Sequence, residues 1–179
     1  MSTVLPPPEI CPQSPAATGG PPAVILGIGN RLLTDDGIGV HIAEAVGALA
    51  QAGWAGGRLR IRDGGTIGLS LLAEIDPAAR LIAVDAMELG AAPGTVALFL
   101  GTEMDRALSG IKHSAHEVAL SDLIQAAALS DILPRERALI GVQPQETGWG
   151  LEPTAAVAAA IPEAVETILT LLEDWPHDR

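Results

Sequence analysis

The chain has 179 residues, the length of one domain, of which 48% are hydrophobic and 18% charged; that is enough apolar content to bury a core and too little charge for a disordered chain. Its 22 acidic and 10 basic residues leave a formal charge of −12, which repels nucleic acid and anionic membrane surfaces. With no Tyr and a single Phe, base-stacking platforms are excluded as well. The single cysteine, Cys11, rules out an internal disulfide framework and suits the cytoplasm. No apolar run is expected to approach the roughly 20 residues of a membrane helix, and the first residues lack the basic start and apolar stretch of a signal peptide.

Residues 1–22 hold seven of the 14 prolines, with Ser, Thr and Gly between them, and read as a disordered Pro-rich extension that carries Cys11 as a surface thiol. Residues 23–179 read as a single α/β domain. Ala23 to Ile28 is a continuous apolar run closed by Gly27 and Gly29, the pattern of a strand buried on both faces and central in its sheet. A helix follows, with Ile38, Ile42, Ala45, Val46 and Leu49 on one face and Thr34, Asp35 and Asp36 at its start. A strand at Arg58 to Arg62, a short helix near Gly68 to Ile75 and a strand at Arg80 to Val84 complete a βαβαβ order, hence parallel strands with right-handed crossovers.

Only nine residues, Ala86 to Gly94, separate Asp85 from the next strand at Thr95 to Leu100, too few for a crossover helix. That fourth strand is therefore expected to be antiparallel and near an edge. A loop leads to Ser114, which with Glu117 forms a capping box for a helix through Val118, Leu120, Leu123, Ile124 and Ala127. Ala138 to Val142 is the fifth strand. The last helix shows Val157, Ile161, Val165, Ile168, Leu172 and Trp175 at spacings of three and four, with Pro162 either a kink or the true first turn. The expected architecture is three-layer α/β/α around a five-stranded, mostly parallel sheet, of the phosphorylase/hydrolase-like kind.

Gly27-Ile28-Gly29-Asn30 starts like a dinucleotide fingerprint, but Leu32 stands where the third glycine is needed. Walker, Gly-x-Ser-x-Gly, HExxH and Cys-x-x-Cys motifs do not occur in the sequence. What remains is positional, since ligands gather beyond the carboxyl ends of parallel strands. Asn30 to Asp36, Asp63 to Thr66 and Asp85 all fall at that edge, and His116 in the first turn of its helix faces them if the helix packs there. Two carboxylates and an imidazole from separate elements can bind a divalent transition metal. Each also has a plainer use: Asp36 as a helix cap, Asp85 as a buried carboxylate with a partner, His116 as a surface residue. His41 suits a satisfied boundary histidine beside the apolar face of its helix, His113 a loop surface and His177 a frayed end.

At these residues the chain resembles the hydrogenase maturation proteases, endopeptidases that trim the C-terminus of the large subunit of nickel-iron hydrogenases. The likeness runs from Ala23 to about Asp174. It rests on Gly27 to Gly37 (GIGNRLLTDDG), Asp63 to Gly68 (DGGTIG), Val84-Asp85-Ala86, Ser114-Ala115-His116-Glu117 and Gly141-Val142-Gln143-Pro144, in that order. The resemblance implies Asp36, Asp85 and His116 as the metal-binding positions, with Glu in place of Asp36 in some relatives. Asp63 is implied as a supporting or catalytic carboxylate alongside Asp36 and Asp85. It further implies aspartic-type peptidase chemistry, nickel carried by the substrate as a recognition signal, and a large-subunit precursor as the partner; a monomer is expected. A nickel-binding accessory protein without protease activity, or a small metal-dependent amidohydrolase, are the alternatives that the same residues leave open.

Overall fold

The computed structural model describes residues 22–52, 59–65, 69–109 and 115–175, with the backbone alone for 115–118. The expected 1–22 extension therefore lies almost wholly outside the described residues, as do Cys11, His113, Ser114 and His177. Pro22 is described, and its carbonyl accepts from the Arg80 amide at 2.9 Å.

Five strands form one sheet in the order β2-β1-β3-β5-β4: β1 Ala23–Ile28, β2 Leu59–Gly65, β3 Arg80–Ala86, β4 Val96–Leu100 and β5 Arg137–Val142. The pairs β1–β2, β1–β3 and β3–β5 are parallel. The expected reversal of β4 is present, since it runs antiparallel to β5 at the sheet edge. The expectation that the first strand is central needs a correction: β1 lies between β2 and β3, and the middle place belongs to β3. The cause is the connection from β2, which returns past β1 and sets β3 on its far side. Both strands are buried along their whole length, so two-sided apolarity marks an interior strand without saying which one is central.

Period-two alternation sorts the strand side chains into two layers. Ile25, Ile82, Val84 and Ile140 face Ile38, Ile42 and Val46 of α1 (Ile38–Gln51) and Ala164, Ile168 and Leu172 of α5 (Ile161–Asp174). Val24, Leu26, Leu81, Ala83 and Leu139 face Met104 and Leu108 of α2 (Thr102–Leu108) and Leu120, Leu123, Ile124 and Ala127 of α3 (Ala115–Leu129). Each fully buried aliphatic side chain contributes about 1.5–3 kcal/mol. A one-turn helix, α4 (Ala155–Ala158), precedes α5, and Pro162 stands in the first turn of α5, so it starts a helix and does not kink one.

Two helical segments differ from expectation. Helix α2 stands where the sequence predicts a loop, because seven residues with Met104 and Leu108 as the only buried pair give too little periodicity to stand out. The stretch Ala155–Asp174 is, by length and composition, apolar enough to cross a membrane, which corrects the expectation that no run comes close. Here it covers the sheet with Val157, Ala160, Ala164, Ile168, Leu171 and Leu172. Its C-terminus is held by buried Arg80, which donates to the carbonyls of Leu172 and Trp175 at 3.1 and 2.8 Å and pairs with Glu136 at 2.9 Å. A guanidinium there satisfies the last carbonyls and complements the helix dipole.

Candidate active site at the carboxyl edge of the sheet

The strand ends decide where a site can form. The chain leaves β1 through α1 toward β2 on one side and leaves β3 through the link 87–95 toward the edge strand β4 on the other. Adjacent parallel strands whose connections depart to opposite sides open a crevice at their carboxyl ends. Asp85, the penultimate residue of β3, stands at this crevice one residue beyond the Gly27–Val84 pair and is 1% exposed.

Asp36 reaches the crevice because the chain doubles back. Gly29 adopts φ +124°, and a Cβ there would lie 1.8 Å from the Asp36 carbonyl oxygen, so only glycine lets the 3-10 turn Thr34–Gly37 press against the end of β1. At Gly39 a Cβ would meet the Val84 carbonyl oxygen at 2.2 Å, which brings α1 down onto the ends of β1 and β3. The Gly-x-Gly of this loop thus serves close backbone packing and not a dinucleotide. The Asn30 amide donates to Asp36 Oδ2 at 2.9 Å, and the Leu32 amide to Asn30 Oδ1 at 3.0 Å. The cap of α1 is Gly37 and makes no side-chain bond, so the reading of Asp36 as a helix cap does not hold.

His116 belongs to the same edge by topology. Helix α3 ends at Leu129 and the chain then enters β5 at Arg137, on the amino edge of the sheet. Helix α3 therefore runs back across the sheet, and its first turn, with His116, lies over the carboxyl edge. The side chain of His116 is outside the described residues. Among the described residues no three His, Cys, Asp or Glu side chains gather as a metal site; of the three positions that the resemblance implies, the side chains of Asp36 and Asp85 are described.

Asp63 stands apart. It lies two residues before the end of β2 at the level of Gly27, on the other side of β1 from Asp85, and is exposed, with Oδ1 accepting from the Gly65 amide at 2.9 Å. His41 is half-buried as expected of a boundary residue, but its buried Nε2 has no hydrogen-bond partner among the described residues, so the expectation that it is satisfied is corrected.

Sequence reading missed two residues that hold this edge together. Asp35, fully buried, accepts from the amides of Gln145, Glu146 and Thr154 at 2.8, 2.9 and 2.6 Å and from Thr154 Oγ1 at 3.0 Å. Its donors lie 110 to 119 residues away, so no local pattern announces them. Gln143, also buried, accepts on Oε1 from the Leu89 amide at 2.7 Å and the Ala91 amide at 3.3 Å. It thereby fixes the link that follows Asp85.

Comparison with known proteins agrees with this geometry. A family model described as hydrogenase maturation protease matches residues 40–171. The chain belongs to the hydrogenase maturation protease family. It is 38% identical over 154 residues to the hydrogenase 2 maturation protease of Escherichia coli, covering 84% of this chain and 90% of that protein. It is 36% identical over 165 residues to the hydrogenase expression/formation protein HupD of Rhizobium leguminosarum bv. viciae, covering 90% and 80%. Among solved structures, the hydrogenase maturating endopeptidase HybD of E. coli superposes with a TM-score of 0.77 at 32% identity, over 86% of this chain and 93% of that one. The [NiFe] hydrogenase maturation protease HybD of Thermococcus kodakarensis gives 0.69 at 29% identity, over 84% and 98%. The three-layer fold with its reversed edge strand is that of this family, and the chain is an endopeptidase, a hydrolase of hydrogenase maturation.

Proposed function

We propose that this hydrogenase maturation protease removes a C-terminal peptide from the nickel-loaded large-subunit precursor of a nickel-iron hydrogenase, reading the substrate's metal before it cuts. What supports the proposal is that Asp36 and Asp85 lie at the carboxyl edge of the sheet and that the chain's topology brings the first turn of α3 over the same edge. Carboxylate and imidazole donors suit nickel, and three protein donors leave coordination positions for ligands from the substrate. On this reading the ion arrives with the substrate and completes its shell only on docking, so that it reports finished metal loading and places the scissile peptide.

The chemistry proposed is of the aspartic type. A carboxylate within hydrogen-bond reach of a water takes its proton as the oxygen adds to the scissile carbonyl, and the proton then passes to the departing amine. Asp63 is proposed as a supporting or catalytic carboxylate, because it stands at the same edge and is open to solvent. We further read the protein as a cytoplasmic monomer, supported by its charge of −12, which opposes self-association, and its lone cysteine.

The test is a processing assay with metal-depleted protease and precursor prepared with or without nickel. Cleavage of the loaded precursor alone is expected. Equal cleavage of both overturns recognition through nickel, and a tight stoichiometric zinc in the purified protease points to ordinary metallohydrolase chemistry.

A further inference from the structure

Beside the crevice the molecule exposes an apolar patch for which its own fold has no use. Trp149 is 84% exposed, Leu151 65% and Leu32 50%. The three belong to two segments that are bonded to each other: the Gly150 amide donates to the Leu32 carbonyl at 3.0 Å and the Thr34 amide to the Gly150 carbonyl at 2.9 Å. Other exposed leucines, such as Leu69 and Leu129, lie on separate elements. Scattered apolar residues are ordinary on a surface, whereas a contiguous group marks a contact.

The patch is also rigid. Asp35 holds both ends of the Gln145–Thr154 loop through the four bonds described above, and Thr34 Oγ1 donates to the Glu146 and Gly148 carbonyls at 2.6 and 3.2 Å. Thr34 itself sits at φ +37°, a left-handed conformation that costs a threonine about 1 kcal/mol or more and that these bonds offset. A loop fixed in this way presents a large aromatic group to solvent without an ordering cost on binding. Exposed Glu146 and Glu152 flank the patch, so a complementary face is apolar at its centre and basic at its rim.

We infer that Trp149, Leu151 and Leu32 form a docking surface for the body of the protein substrate, beyond the peptide that is cut. The inference rests on the proposed function for the identity of the substrate. Leu32 is four residues from Asp36, so whatever covers the patch must also border the crevice. A second copy of this chain seated there would obstruct the site and bring together two molecules of charge −12. The substrate is the partner that has to occupy both places at once. Trp149 is its anchor, since aromatic side chains in the middle of an interface carry a large part of the binding energy.

The experiment compares wild type, Trp149→Ala, Leu151→Ser and the control Leu129→Ser on nickel-loaded precursor. It reads KM, kcat and equilibrium binding, with sedimentation of the protease alone. Trp149→Ala and Leu151→Ser should each raise KM and Kd about 10- to 30-fold with kcat within about twofold, while Leu129→Ser changes neither. Unchanged KM and Kd in both patch variants overturn the docking surface and leave the proposed function standing. A fall in kcat at constant KM also overturns it, because the loop then acts by positioning Asp36. A wild-type dimer that Trp149→Ala dissociates overturns it in favour of self-association. If wild type binds the loaded precursor without cutting it, the proposed function fails, and weaker binding by Trp149→Ala still supports the surface.

Discussion

Two acidic segments mark the carboxyl ends of the first two strands, and they are built in different ways. After β1, Asp35 and Asp36 stand side by side on one 3-10 turn. Asp35 points into the protein and is saturated by donors from the Gln145–Thr154 loop, while Asp36 takes the Asn30 amide at the crevice. Near the end of β2, Asp63 is exposed and, among the described residues, accepts from the amide two residues on. A buried carboxylate is tolerated only where hydrogen bonds replace its hydration, so Asp35 is committed to the fold. Asp63 shows no such commitment among the described residues, so a requirement for it points to chemistry. The contrast separates carboxylates that build the edge from those free to act on a substrate.

Removing Asp35 should have the largest effect. Asp35→Ala leaves three amides and a hydroxyl without their acceptor and should cost about 3–4 kcal/mol of stability, read as the urea midpoint. Asp35→Asn should lose about half as much, because an amide offers one acceptor oxygen and turns its NH2 toward the remaining donors. A loss below 1 kcal/mol for Asp35→Ala would erase the distinction between the two segments. The crevice residues should behave in the opposite way. His116→Ala and the isosteric Asp85→Asn should each lower precursor processing by at least about 100-fold, or roughly 2.7 kcal/mol, with Tm within about 3 °C of wild type. Normal processing by His116→Ala would remove it from the site.

What could be read from the sequence follows the range of the interactions. The strands of 23–142 and the main helices announce themselves locally: β1 by an unbroken aliphatic run, β4 by a link too short for a crossover, α5 by Ile168 and Leu172 at helical spacing. Asp36 and Asp85 could be placed because a strand end is itself a local feature and topology then says which ends meet. The order of the interior strands could not be read, because β1 and β3 are equally apolar and their places depend on how the whole chain winds. Helix α2 was invisible for want of length. The Asp35 clamp and the Leu32–Trp149–Leu151 patch depend on contacts across more than a hundred residues. Thr34-Asp35-Asp36 gives one hint, since adjacent acids on a tight turn cannot both face the same way.

Asp63 tests the other side of the comparison with a smaller effect. Asn keeps the acceptor for the Gly65 amide, so Asp63→Asn should change stability by no more than about 0.5 kcal/mol. Processing should fall about tenfold, roughly 1.4 kcal/mol, and the loss should be in kcat if the carboxylate takes part in hydrolysis. Unchanged kcat would leave Asp63 as a turn residue.

The smallest effect on processing is expected at Asp36→Glu. The resemblance to relatives with Glu at this position implies that the crevice has room for a longer acid, and the local bonding says what the extra methylene does. Asp36 is 8% exposed, and its Oδ2 takes the Asn30 amide across a loop of only six residues. A glutamate must keep that bond by bending its chain or release it to reach further into the crevice. Losing one hydrogen bond to a charged group at a partly buried site costs about 1.5 kcal/mol at most here, because water can reach the freed amide. Stability should therefore drop by about 0.5–1.5 kcal/mol while processing stays within about threefold of wild type. Asp36→Asn, which keeps the length and removes the charge, should instead lose processing with little change in stability. If Glu is as inactive as Asn, the distance from Asp36 to the substrate's metal is fixed more tightly than the resemblance implies. If Asn is as active as wild type, the charge at this position has no part in the reaction, and Asp36, like Asp35, belongs to the scaffold.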